Sequence, residues 1–202
     1  MKNYQSVLQD AFSDASRKSF SNSIVKAYIQ SVERSKEFGT FAREAQPYLR
    51  WFWCEALLEK AAMQSGLSFK AASNHAKNCN HLTITSKNWS LTAHHSNSGP
   101  LPRRAVYRAM YVSGKNFELF DGEYEQESDV IVMGGHVYLM HDGVGANVEA
   151  INLTVPSTDM KSVLFTESLT IVSPFDVEAE KVEDELDTKI GLKVEELLRN
   201  KK

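Results

Sequence analysis

The residues best suited to chemistry are an adjacent histidine pair, His94-His95, with Lys87 before it and Arg103-Arg104 after it. An imidazole that moves protons beside a cation that steadies a phosphorane-like transition state is the equipment of a metal-independent ribonuclease. The loop 96–102 can bring these groups together. One constraint works against a shared site: neighbours in a strand point to opposite faces, so His94 and His95 do not easily serve one centre. Arg103 and Arg104 follow Gly-Pro-Leu-Pro, a stiffened approach, and a guanidinium fork matches phosphate bidentately.

These residues lie in a one-signed stretch. No aspartate or glutamate occurs from Lys60 to Phe117, while the stretch holds Lys60, Lys70, Lys77, Lys87, Arg103, Arg104, Arg108 and Lys115. Such a field attracts a polyanion. The expected nucleic-acid contacts are Lys70, Lys77, Lys87, Arg103, Arg104 and Arg108. Trp89 and Tyr107 are of the type that stacks on bases, although Trp89 fits the inner face of a sheet better. The net charge of −3 hides a split between the halves. Residues 1–104 hold 14 Lys/Arg against 7 Asp/Glu, and residues 105–202 hold 9 against 19. Either a basic surface stays open, or the two halves neutralise each other across the fold.

Other chemistries lack their spacing. The acids Glu118, Asp121, Glu123, Glu125, Glu127 and Asp129 are interrupted by Gly122, Tyr124, Gln126 and Ser128, the next lysine after them is Lys161, and they read as a solvated loop rather than a Mg²⁺ site. Asp142-Gly143-Val144-Gly145 has neither EF-hand nor P-loop spacing, and no Gly-x-Ser-x-Gly elbow is present. His75, Cys79 and His81 come nearest to a ligand cluster, without a metal-site spacing. No metal and no cofactor is therefore expected. The N-terminus has no signal-peptide core, and no run reaches the roughly 18 apolar residues of a membrane span. With two cysteines, Cys54 in an apolar helix and Cys79, a reducing cytoplasm is the simplest compartment.

The elements that must position these groups change along the chain. The fold class expected is α+β: an N-terminal helical segment, a mostly antiparallel sheet and a charged C-terminal helix. Residues 1–174 form a single domain, helical over 1–78 and β-rich over 79–174, and 175–202 form the charged helix. Ser21 and Asn22 read as a helix cap, Pro47 as the first turn of the next helix, and Gly66 as its stop. A short basic helix is expected over Ser68–Lys77. His81–Ser86 and Trp89–His95 alternate around Lys87-Asn88, a hairpin signal. Further strands are expected at Ala105–Val112, Phe117–Phe120, Val130–Met133, Val137–Met140, Val148–Val155, Ser162–Phe165 and Leu169–Val172. The last helix, Phe175 to Leu198, carries a narrow stripe of Val177, Val182, Leu186, Ile190, Val194 and Leu198 that should dock on its own domain or on a partner.

The segment around the hairpin, with Ser86-Lys87-Asn88-Trp89, His94, Leu101-Pro102-Arg103-Arg104 and the later Leu119-Phe120-Asp121, resembles an uncharacterised bacterial domain family of unknown function. The resemblance spans about residues 80–172 and implies no activity.

Three functions fit. The first is a nucleic-acid-binding or accessory protein that uses the acid-free surface of 60–117 and has no catalysis of its own. The second is a metal-independent ribonuclease of toxin or defence type, with His94, His95, Arg103 and Arg104 as its catalytic residues. The third is a protein-protein interaction module without nucleic acid, forming a homo-oligomer or meeting a protein partner through the C-terminal helix. None of the three needs a membrane.

Overall fold

A computed structural model describes residues 4–73, 80–96, 99–102, 112, 134–171 and 184–199. Helices α1 (Tyr4–Ala11), α2 (Asp14–Ser35) and α3 (Ala42–Gln64) come first, with a 3-10 turn at Lys36–Phe41 between the long pair. Six strands follow: β1 (Ser68–Ser73), β2 (Asn80–Ser86), β3 (Trp89–His95), β4 (Gly135–Val144), β5 (Asn147–Pro156) and β6 (Val163–Ser168). Helix α4 (Asp184–Arg199) comes last. The fold is α+β. The sheet order is β1-β2-β3-β4-β5-β6. Every neighbouring pair is antiparallel except the central one, β3–β4, which is parallel.

Several local signals act as the sequence predicts. Gly66, at φ 67°, ends α3 in a Schellman arrangement: Leu67 N–H donates to Ala62 O at 2.9 Å and Gly66 N–H to Met63 O at 3.1 Å. The β2–β3 hairpin closes at Ser86↔Trp89, with Lys87 at φ 53° in its turn. Others yield to tertiary contacts. Ser21 and Asn22 lie inside α2, whose cap is Ser13, accepting from Ser16 N–H at 3.2 Å; the Ser21 hydroxyl donates to Thr170 O at 2.7 Å instead. Pro47 falls within α3, which continues from the 3-10 turn. The expected basic helix over Ser68–Lys77 is replaced, over its described part, by edge strand β1. Pairing with β2 supplies its backbone bonds and seats Phe69 against the core, which overrides helical propensity. The helical segment therefore stops at Gln64 rather than at residue 78. One strand, Val163–Ser168, stands where two were expected, and Leu169–Ile171 lies outside any strand. The expected strands over 117–120 and 130–133, most of 105–112, and the first part of the C-terminal helix lie outside the described residues.

Strand alternation gives the sheet two unlike faces. Leu82, Ile84, Trp89, Leu91, Val137, Leu139, Ile151, Leu153 and Val155 point at the helices and join Phe20, Ile24, Tyr28, Leu49, Trp53 and Leu58 in the main core. Trp89, 4% exposed, is core, and Cys54 is a buried free thiol. The opposite face has a smaller cluster of Tyr138 and Met140 with Val112 and Met160. Two cations, Arg17 and Lys87, tie the frame through ion pairs. Arg17, buried in α2, meets Glu167 of β6 at 2.6 Å and Asp14 at 2.5 Å, which joins the basic half of the chain to the acidic half. Lys87 in the hairpin turn meets Asp10 at 2.5 Å.

Helix α4 docks on this domain. Ile190 and Val194 are buried in the main core, whereas Leu192 is 63% exposed. Removing buried methyl groups costs their transfer free energy and leaves a cavity. Val194→Ala should therefore lower the urea-unfolding free energy by about 2 kcal/mol, and Leu192→Ala by less than about 0.5 kcal/mol. Equal effects of the two substitutions would contradict the docked face.

Candidate functional site

The five described histidines fall into groups set by which face of which strand they occupy. On the helix-covered face, His95 of β3 and His141 of β4 are register partners with ring centroids 5.5 Å apart. Helix α3 places Arg50 and Cys54 over them, one turn apart, and α2 contributes Tyr28. The Tyr28 hydroxyl lies 3.0 Å from His141 Nδ1, and Cys54 Sγ lies 3.8 Å from His141 Nε2. The Arg50 guanidinium stacks 4.1 Å above the Tyr28 ring. It also donates to Gly143 O at 3.4 Å and Gly145 O at 3.2 Å, which pins the β4–β5 turn to α3.

Burial decides the charge state here. It pushes the Tyr28 phenol and the Cys54 thiol far up, so both keep their protons. It also pushes His141 down to about 3, with the nearby His95 and Arg50 adding to the effect. A neutral imidazole between a phenol and a thiol is not the thiolate–imidazolium pair of a cysteine nucleophile. Farther out, His95 Nε2 is 3.4 Å from Arg50 Nη1 and 3.9 Å from Asp142 Oδ1. The guanidinium can only donate, so that contact uses the Nε2 lone pair. A protonated His95 would turn to Asp142 instead. Arg50, His95 and Asp142 are the part of this group nearest to solvent.

The opposite face carries a different set. Ser90, Thr92 and His94 of β3 lie beside His136, Tyr138 and Met140 of β4 in register. Ser90 Oγ is 2.8 Å from His136 Nδ1, and Thr92 Oγ1 is 3.0 Å from both His136 Nε2 and His94 Nε2. Both imidazoles meet the Tyr138 ring edge to face, at 5.0 Å for His94 and 4.9 Å for His136. Ser90, Thr92, His94, His136 and Tyr138 are all buried, and the neighbouring Thr154 hydroxyl is buried with no hydrogen-bond partner.

A third feature sits where β2 and β3 part. Their pairing begins at Ile84↔Leu91 and does not extend over Asn80–Thr83. Glu55 of α3 fills the gap: its Oε2 accepts from Leu82 N–H at 2.6 Å, and its Oε1 accepts from Trp51 Nε1 at 3.2 Å and lies 3.6 Å from His81 Nδ1. This carboxylate replaces a missing strand partner.

Of the residues singled out in the sequence, His94 and His95 fall on opposite faces, so the structure does not join them in one centre. Lys70 is exposed on β1 and Lys87 is paired with Asp10. Lys77, Arg103, Arg104 and Arg108, the acids of 118–129, and His75 and Cys79 lie outside the described residues. Among the described residues no cluster of three or more His, Cys, Asp or Glu could hold a metal ion, and no helix is long and apolar enough to cross a membrane. Sequence reasoning missed Tyr28, Arg50 and His141, and also Ser90, Thr92, His136 and Tyr138. Polar residues at every second position, in Ser90-x-Thr92-x-His94 and His136-x-Tyr138, are the signal that could have revealed the second set. No protein-family model, no curated protein and no solved structure matches the chain.

His141 makes stability depend on pH. Above its ordinary value of 6.5 the ring is neutral whether the chain is folded or not, and it adds no pH dependence. Between 6.5 and about 3 only the unfolded chain takes up this proton, so stability falls as pH falls. The loss is up to about 1.4 kcal/mol per pH unit. His141→Gln should be less stable at neutral pH yet lose less stability on acidification, as read from urea midpoints between about pH 7 and about pH 4. Parallel pH curves for the two proteins would show that His141 does not carry the effect.

Proposed function

We propose that the protein binds nucleic acid through its acid-free stretch, as a binding or accessory protein without catalysis of its own. The observation that carries this reading is how the stretch folds. Its described strands form one contiguous end of the sheet, β1-β2-β3. On the face away from the helices, alternation and register put Ser68, Lys70, Thr83 and Thr85 side by side, partly or fully exposed and without a carboxylate among them. A lysine among hydroxyls suits phosphate and sugar contacts, which set affinity without reading sequence. Lys87 contributes less than the sequence implies, since Asp10 already meets it. Arg103, Arg104, Arg108 and Lys77 would extend the surface. A cytoplasmic setting accompanies this reading, supported by Cys54 as a free thiol. The separation of His94 from His95 argues against the ribonuclease alternative, because acid and base would have to reach one phosphate from opposite faces of a strand.

Binding of fluorescent single-stranded RNA and of duplex DNA should weaken steeply as salt rises. Lys70→Glu combined with Arg103→Glu and Arg104→Glu should weaken it at least about tenfold and flatten the salt slope. A folded triple variant that binds like wild type, or binding that ignores salt, would sink the proposal. The second outcome, with a protein bound in place of nucleic acid, would favour an interaction module.

A further inference from the structure

Strands β1 and β2 form a two-stranded ribbon that parts from the rest of the sheet. All six residues of β1 pair with β2, from Ser68↔Thr85 to Ser73↔Asn80. Pairing of β2 with β3 covers only Ile84, Thr85 and Ser86. The far part of the ribbon, Lys70–Ser73 against Asn80–Thr83, has no strand beside it among the described residues. At about 3.3 Å per residue, that part is about 13 Å long. Three contacts keep its shape. Glu55 Oε2 accepts from Leu82 N–H at 2.6 Å, in the place of a β3 carbonyl. Ser73 Oγ donates to Asn80 Oδ1 at 2.7 Å across the end of the pair. Phe69 and Leu82 pack on the main core and fix the inner side of the ribbon to the helices. The outer side carries Lys70, Ala72 and Thr83, while His81 turns aside to the Trp51 ring and to Glu55.

We propose that this ribbon lies in the major groove of duplex DNA. The inference rests on the nucleic-acid reading above, and it names the partner class and the docking mode. Width selects the mode. Six strands about 4.8 Å apart span about 24 Å, twice the roughly 12 Å of the B-DNA major groove. Two strands fit, and a two-stranded ribbon is one of the protein elements that this groove admits. The parting of β2 from β3 is thus what makes entry geometrically possible, and Glu55 is the positioning residue that stands in for the lost strand. The charge has the sign that a groove walled by phosphates attracts: the outer side has an exposed lysine and no carboxylate among the described residues. On the groove floor Lys70 can donate to guanine O6 and N7, and the Thr83 hydroxyl can meet a base edge. An A-form RNA duplex offers no such fit, because its major groove is too deep and narrow for side chains to read.

Dimethyl sulfate footprinting of a mixed-sequence DNA duplex, saturated with the full chain, tests the docking mode. Guanine N7 lies in the major groove and adenine N3 in the minor groove. The expected result is protection of guanine N7 with adenine N3 left reactive. Duplex DNA should also bind at least about tenfold more tightly than duplex RNA of the same sequence. Ala72→Asp puts a carboxylate on the ribbon's outer side and should weaken DNA binding at least about fivefold. Thr166→Asp, on the same sheet face at the β6 end, should change it less than about twofold. Salt-sensitive DNA binding without N7 protection, equal affinity for the two duplexes, equal effects of the two substitutions, or binding to single-stranded RNA alone would each overturn the ribbon mode and leave nucleic-acid binding standing. Absence of salt-sensitive binding to all three nucleic acids would overturn both. If Ala72→Asp does not fold, the wild-type footprint and the duplex comparison decide the matter.

Discussion

Both histidine groups exist because β3 and β4 run side by side in the same direction. Parallel strands need a crossover, and here it occupies the chain between Ser96 and Gly134. That one pairing puts His95 against His141 on the helix-covered face and places Ser90, Thr92 and His94 beside His136, Tyr138 and Met140 on the other. A shift of one residue would exchange the two sets of side chains between the faces. Gly134 helps to hold the register. Gly135 N–H donates to Asn88 O at 3.0 Å, and a Cβ on Gly134 would run into that carbonyl. The start of β4 can therefore pass close to the β2–β3 turn only with glycine at this position.

The two faces use histidine in different ways. Beneath the helices, burial keeps His141 neutral and leaves Tyr28 and Cys54 protonated, so the group locks α2 and α3 to β4 rather than offering a nucleophile. Arg50 extends the lock to the turn after β4 by donating to its carbonyls. On the other face the imidazoles alternate with hydroxyls in a hydrogen-bonded line. Such a network is stable only when fully satisfied. Electrostatics follows the same economy at the surface: the basic half of the chain is partly neutralised, through Arg17 with Glu167 and Lys87 with Asp10. On the outer face of β1 and β2, Lys70 stands without a carboxylate among its described face neighbours.

Much of the fold was legible in the sequence because the signals were local. Gly66 as a helix stop, the hairpin at Lys87-Asn88, the core roles of Trp89 and Cys54 and the docked stripe of Ile190 and Val194 all rest on short-range chemistry or periodicity. The misses were those in which distant partners decide. Ser68–Ser73 becomes a strand because β2 pairs with it, and Ser21 serves Thr170 rather than a helix end. The site was less legible than the fold. The opposite orientations of His94 and His95 follow from strand alternation alone. The partners of each histidine depend on a parallel register that no local pattern specifies. Arg50 and Tyr28 carry no motif and matter only because helix packing sets them above His141.

The parallel register of β3 and β4 is thus the central claim, and interstrand nuclear Overhauser contacts test it most directly. Backbone contacts should link Leu91 with Val137, Ala93 with Leu139 and His95 with His141, with both residue numbers rising together. Contacts in which one number rises while the other falls, or a set displaced by one residue, would contradict the arrangement and dissolve both histidine groups.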